Sequence, residues 1–264
     1  MPLPHLLRHG HGTPVIFVHG NGVDHRILLG LDDVFGNGFE RFHFDLPGFG
    51  RTPALTGAGG LPELADWLDR TVGELLGERP FAVVGNSMGG LLAYELAARR
   101  PTQVLGMALL APVVHTERAR RTLPERVVLR WDPELLRSLK GGEAMKYAEM
   151  TVVQSPETWE AFRKAVLPGM KAADPAALER LSARYFLNAA HDGALRAFAG
   201  PVLIVAGRQD HVVGFEDQFT LARSFPRGSY AVLDAAGHNV HLDQPAAVRA
   251  LLEGWVAALG DRLI

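Results

Sequence analysis

The sequence predicts an α/β fold: a mostly parallel central sheet covered by helices on both faces, with a helical segment inserted into it. Short β-branched, apolar runs alternate with stretches of helical periodicity. Those runs are apolar throughout, as in strands buried on both faces of a parallel sheet. Strand signals then stop between about residues 114 and 198, where short helical segments take over. A chain of 264 residues fits one large domain carrying such an insertion. The expected division is residues 1–113 and 199–264 as the core and 114–198 as a helical cap.

Taken in order, residues 15–18 (VIFV) read as a buried strand opening into His19-Gly20-Asn21-Gly22. Residues 41–45 (RFHFD) form the next strand, stopped by Leu46-Pro47-Gly48. Apolar residues at 61, 64, 65, 68, 72, 75 and 76 draw the stripe of a helix that covers a sheet. Residues 81–84 (FAVV) run through the tight turn Gly85-Asn86-Ser87-Met88-Gly89 straight into another helix. Residues 106–111 form a further strand, closed by Pro112.

In the insertion, Ser155-Pro156 and Asp174-Pro175 place a capping side chain before a proline at the first helical position. The segment carries Trp131, Trp159, Phe162, Tyr185 and Phe186. It reads as a cap over the carboxyl ends of the strands, most of its apolar residues packing among themselves and a minority lining a pocket. The strand pattern resumes at 201–206 (PVLIVA), before Gly207-Arg208-Gln209-Asp210, and at 229–233, before Ala235-Ala236-Gly237-His238. The last helix starts at Pro245, with an apolar stripe at 248, 251, 252, 255, 256 and 259.

Composition narrows the function. Apolar residues make up 47% and charged residues 21%, with a net charge of −2, so nothing points to nucleic acid or an anionic membrane. Without cysteine there are no disulfides, thiol nucleophiles or cysteine-type metal sites. The N-terminal stretch has no apolar core of signal-peptide length and no run approaches a membrane span, which gives the expectation of a cytoplasmic protein. No cofactor and no metal are expected, and the chain is read as a monomer or homodimer.

The chemistry centres on Ser87, the only serine in a G-x-S-x-G setting. A side chain pushed out at a strand-to-helix corner needs strained backbone, and the elements close-pack only if the neighbours lack side chains. The following helix aims its free N–H groups at negative charge forming beside Ser87. A serine hydroxyl needs a base, for which histidine is suited, and a carboxylate behind the imidazole fixes its tautomer. Ser87, Asp210 and His238 follow strands in the chain order this sheet architecture uses.

Eleven histidines make His238 a choice. His5, His9 and His11 lie in a polar N-terminal segment, His43 is mid-strand, and His115 and His191 flank the cap. His211 and His241 sit within three residues of the chosen acid and base and are its rivals. Asp210 competes with Asp217, Asp234 and Asp243; Asp234 reads as a turn residue and Asp243 as a residue that starts the last helix. Asp45 reads as a cap on backbone N–H groups in its turn. An oxyanion needs two donors, assigned to the backbone N–H groups of Met88 and Asn21. His19 reads as a residue that shapes the Asn21 loop.

With VIFVHGNG (15–22), FDLPGFGRT (44–52), VVGNSMGG (83–90), PVLIVAGRQD (201–210) and AAGHNVHLDQP (235–245), the chain resembles the α/β-hydrolase family. The resemblance implies Ser87 as nucleophile, Asp210 as acid, His238 as base, Asn21 and Met88 as oxyanion donors, and an eight-stranded sheet with an antiparallel second strand. The short N-terminal segment implies abbreviated first strands. Ser at the elbow differs from the Asp of haloalkane dehalogenases and epoxide hydrolases. Asn239 stands where carbon–carbon hydrolases of ring-cleavage products usually carry Trp, and Met88 where proline iminopeptidases usually do.

The expected activity is hydrolysis of small to medium carboxylic esters, with a small-molecule ester as the partner and no nucleic acid or membrane. Thioesters, lactones, carbon–carbon bonds and perhydrolase or haloperoxidase chemistry use the same parts. A non-catalytic small-molecule binder on this fold is the reading from a different class. A nucleotide-binding oxidoreductase lacks the G-x-G-x-x-G that should follow the first strand.

Overall fold

The computed structural model describes residues 2–187, 195 and 198–260. Among the described residues seven strands build one sheet: β1 (Leu6–Gly10), β2 (Thr13–Val18), β3 (Phe39–Phe44), β4 (Phe81–Asn86), β5 (Val104–Leu110), β6 (Val202–Gly207) and β7 (Gly228–Leu233). Their order is β1-β3-β2-β4-β5-β6-β7. Only β1 is antiparallel, pairing with β3 from Leu6 opposite Phe44 to Gly10 opposite Glu40. The other five pairings are parallel.

Two corrections follow. The described sheet has seven strands, not eight, and its antiparallel strand is the first in sequence. That strand, LLRHG, gave no signal of its own, because an edge strand half in water has no need of an apolar run.

The helices are α1 (Arg26–Leu29), α2 (Leu61–Leu76), α3 (Met88–Arg99), α4 (Pro133–Ser138), α5 (Gly141–Met150), α6 (Pro156–Ala165), α7 (Leu167–Ala172), α8 (Pro175–Ala183), α9 (Glu216–Ala222), α10 (Val240–Asp243) and α11 (Pro245–Gly260). The period-two alternation of the strands sorts the core into two layers. Ile16, Val18, Val83, Met107, Leu109 and Ile204 face α2 and α3, packing against Trp67, Leu68, Leu92 and Leu96. Val15, Phe17, Val84, Ala108, Leu110 and Val205 face the other way, against Ile27, Leu28, Val248, Leu252 and Trp255 of α1 and α11. Burial of each large side chain is worth about 1.5–3 kcal/mol, which is why strands covered on both sides read as unbroken apolar runs.

Helices α4 to α8 lie between β5 and β6, in the segment where strand signals vanish. Two of them start as their proline pairs imply: Ser155 Oγ accepts from Thr158 N–H at 3.2 Å, and Asp174 Oδ1 from Ala176 N–H at 2.9 Å. Among the described residues no helix is long and apolar enough to cross a membrane.

Glycines of this fold differ sharply in what they tolerate. A Cβ on Gly254 of α11 would meet nothing within 4 Å, whereas one on Gly106 of β5 would lie 2.6 Å from Leu259 Cδ2 and 2.8 Å from the Pro201 carbonyl oxygen. Gly254→Ala is therefore expected to stabilise the protein by roughly 0.5–1 kcal/mol through helix propensity, and Gly106→Ala to destabilise it by about 1–3 kcal/mol. Urea unfolding midpoints check both signs.

Candidate active site

The β4–α3 corner sets Ser87 at φ 55°, ψ −119°. Three glycines make the corner possible. A Cβ on Gly85 would lie 2.4 Å from the Gly89 carbonyl oxygen, one on Gly89 2.1 Å from that of Val18, and one on Gly90 2.7 Å from Pro112 Cβ. The apex is pinned from both sides of the peptide. Ser87 N–H donates to the Leu110 carbonyl at 3.0 Å, and the Ser87 carbonyl accepts from Gly90 and Val113 N–H at 3.0 and 3.1 Å. Asn86 Nδ2 donates to the same Leu110 carbonyl, at 3.1 Å.

The ends of β6 and β7 bring two further side chains to this point. His238 Nε2 lies 2.8 Å from Ser87 Oγ, and His238 Nδ1 lies 3.0 Å from Asp210 Oδ2. Asp210 has no exposed surface; Ser87 and His238 are each 8% exposed. The other Asp210 oxygen accepts N–H groups of Val212 at 2.8 Å and Val213 at 3.0 Å. With Oδ2 beside Nδ1, the proton of a neutral imidazole sits on Nδ1 and Nε2 is left to accept from the Ser87 hydroxyl.

Met88 opens α3, so its N–H has no acceptor within the helix. The Gly20 backbone lies against the nucleophile, since a Cβ there would fall 3.1 Å from Ser87 Cβ, and Asn21 lines the same cavity as Ser87 and His238. Among the described residues neither the Met88 nor the Asn21 N–H has a backbone partner.

The rival side chains are engaged elsewhere. His241 Nε2 donates to the Ile27 carbonyl at 2.8 Å, and burial lowers its pKa to about 4, so it stays neutral. His19 is buried, with Nδ1 donating to the Gly20 carbonyl at 2.8 Å and Nε2 accepting from Leu46 N–H at 2.9 Å; both nitrogens are used to hold the Asn21 loop. Burial holds its pKa below the ordinary value. His43 stacks on Phe17 and bonds Asp32 at 2.8 Å. His211 does line the cavity, half-buried, with burial lowering its pKa. His115 offers its carbonyl to Arg121 Nε. His191 lies outside the described residues.

Asp217 accepts from Thr122 N–H and Oγ1, and Asp234 from Gln209 Nε2. Asp45 accepts N–H groups of His25 and Arg51, as expected of a turn cap, and also bonds His25 Nδ1 at 2.7 Å. Asp243 departs from expectation. Its Oδ2 accepts from Gly237 N–H at 2.8 Å, so it braces the loop that presents His238 rather than the start of α11. Burial pushes its pKa up to about 7, against the Gly237 N–H bond; the charge on Asp210 pushes the same way and His238 pulls it back.

The site opens into a cavity of about 680 Å³. Arg118, Arg121, Glu149, Met150, Ser182 and Tyr185 line it from the segment between β5 and β6. Of these only Tyr185 stands out in the sequence, among the aromatic residues of the insertion; the others carry no periodic sign of which way they face. Two groups elsewhere have metal-ligand chemistry, His5–His25–Asp45 and His9–Asp32–His43, each with ligand atoms within 4.8 Å of one another. Neither shares a residue with the Ser87 cavity.

A nucleophile elbow after a central parallel strand, with an acid and a histidine placed after the last two strands, defines an α/β hydrolase. The sequence model of the alpha/beta hydrolase fold matches residues 13–245, and the chain belongs to that family. It is 25% identical, over 96% of its length and 93% of the relative's, to (E)-2-((N-methylformamido)methylene)succinate hydrolase of Acinetobacter baylyi. It is 26% identical, over 95% of its length and 97% of the relative's, to pimeloyl-[acyl-carrier protein] methyl ester esterase of Xanthomonas campestris. An alpha/beta superfamily hydrolase from Oenococcus oeni superposes with a TM-score of 0.88 at 24% identity, covering 97% of this chain and 96% of that one, which is a likeness of fold.

The raised Asp243 pKa has a signed consequence. A carboxyl whose folded pKa lies above its unfolded value near 3.9 favours the folded state at low pH and loses that contribution as pH rises toward 7. Asp243→Asn keeps an acceptor for Gly237 N–H and removes the titration. Relative to this variant, the wild type is expected to lose stability between pH 4 and pH 7, measured by urea unfolding across that range. A difference that is flat with pH would contradict the assignment.

Proposed function

We propose that the protein is a serine hydrolase that cleaves carboxylic esters of small to medium size through an acyl-enzyme. The observation that carries this reading is the unbroken chain Ser87 Oγ–His238–Asp210, with contacts of 2.8 and 3.0 Å, at the floor of a cavity. In this reading Ser87 Oγ attacks the ester carbonyl while His238 Nε2 takes its proton. Asp210 stabilises the imidazolium from behind. The Met88 and Asn21 N–H groups hold the oxyanion, where fixed donors are worth about 3–4 kcal/mol each. His238 then returns the proton to the leaving alcohol, and a water activated by the same imidazole frees the acid and restores Ser87.

Residues 114–198 serve in this reading as a cap over the pocket, supported by the side chains they contribute to its lining. The relatives support this reading to different degrees: one is named for hydrolysing a succinate derivative, which supports hydrolysis, and the other for hydrolysing a methyl ester, which supports ester cleavage.

The test is turnover of p-nitrophenyl esters graded by acyl length. Activity peaking between acetate and hexanoate is expected. Ser87→Ala and His238→Ala should lower kcat by about 10⁴-fold or more, and Asp210→Asn by roughly 10³–10⁴-fold, with little change in unfolding midpoint for Ser87→Ala. Folded wild-type protein that turns over no ester in the series would overturn the proposal.

A further inference from the structure

Arg121 is half-buried on the wall of the Ser87 cavity. Its guanidinium is fixed by three backbone carbonyls: Nε donates to His115 at 2.8 Å, Nη1 to Val212 at 2.9 Å and Nη2 to Thr116 at 3.1 Å. A guanidinium has five N–H donors, so two remain, one on each terminal nitrogen. Among the described residues Arg121 forms no ion pair. Asp210 is near enough to be felt, but its oxygens are committed to His238 and to two backbone N–H groups. Burial lowers the Arg121 pKa, and the more distant charges of Asp210 and Asp217, the latter already accepting from Thr122, only partly offset it.

Two more groups share that wall. The Tyr185 hydroxyl has no hydrogen-bond partner among the described residues, and burial pushes its pKa up to about 12 while the Arg121 charge pulls it back. Among the described residues the Arg118 side chain donates only to the His211 carbonyl, at 3.4 Å. Glu149 also lines the cavity and repels anions from its own part of the wall, which leaves the Arg121 side as the place for one.

We infer that Arg121 and Tyr185, with Arg118 beside them, form a subsite for a carboxylate, so that the preferred substrate is an ester carrying a second, free carboxylate group. A half-buried cation with spare donors and no ion-pair partner among the described residues is an arrangement that a bound carboxylate relieves, and guanidinium and carboxylate match fork to fork. The subsite lines the same cavity as the nucleophile, so the anion positions the ester within reach of Ser87. The inference rests on the hydrolase reading for the word ester, but not for the anion site itself.

The experiment therefore has two arms. In the first, kcat/KM is compared for monomethyl glutarate and methyl pentanoate, esters of the same chain length with and without the charge. The wild type should favour the charged ester at least tenfold, and Arg121→Gln should bring the ratio near one or below. In the second, glutarate alone is titrated calorimetrically into wild type, Arg121→Gln and Tyr185→Phe. Binding should weaken at least tenfold in the first variant and at least threefold in the second.

Arg121 also ties backbone together, so Tyr185→Phe carries the test if Arg121→Gln fails to fold. Preference for the neutral ester together with no glutarate binding, or binding indifferent to both substitutions, would overturn the subsite and leave the hydrolase reading standing. Glutarate binding that depends on Arg121 and Tyr185 without turnover of either ester would uphold the subsite and count against the hydrolase.

Discussion

The site depends on one strained backbone position. Ser87 occupies φ 55°, ψ −119°, a region L-residues avoid at a cost of order 1–3 kcal/mol. The strain persists because the hydrogen bond Ser87 donates to the Leu110 carbonyl and those it accepts from Gly90 and Val113 N–H over-determine the corner. It also persists because Gly85, Gly89 and Gly90 let strand, turn and helix approach to distances no side chain would allow. The result is a hydroxyl presented at the carboxyl edge of the sheet and a helix whose first N–H is left free beside it. Relaxing the corner would move both together.

A second constraint is the burial of Asp210. An ionised carboxylate with no exposed surface is costly unless each oxygen is paired. Here the loop after β6 turns the Val212 and Val213 N–H groups onto one oxygen and leaves the other for His238. The imidazole is thereby held in one tautomer and one orientation. Asp243 braces the preceding residue of the same loop, through Gly237 N–H. The cavity beside it is lined by Arg121, a cation fixed by three carbonyls with donors to spare.

What the sequence made legible is what burial and backbone strain write into residue type. Residues 15–18, 81–84 and 201–206 are apolar at every position because both faces are covered, so their strands could be read directly. Ser87 stands out because only glycine fits on either side of it. Asp210 and His238 could be read from their place after strands, and the structure brings His238 within hydrogen-bond distance of Ser87 and Asp210 within hydrogen-bond distance of His238. β1 was hidden because its pairing with β3 is made by backbone and needs no pattern in LLRHG. Asp243 was misread because its spacing from Pro245 suits a helix cap as well as a loop brace. Arg121 was invisible for a different reason: three carbonyls from 115, 116 and 212 fix it, two of them six and five residues away in sequence and the third 91 residues away. No local pattern records that convergence.

The central claim is that the fold makes the Ser87 hydroxyl, and no other, a nucleophile activated by His238. Reaction with a fluorophosphonate, followed by peptide mapping of the added mass, tests it most directly. The account predicts a single adduct on Ser87, formed by the wild type and abolished in both Ser87→Ala and His238→Ala. An adduct on another residue, or none on folded wild-type protein, would contradict it.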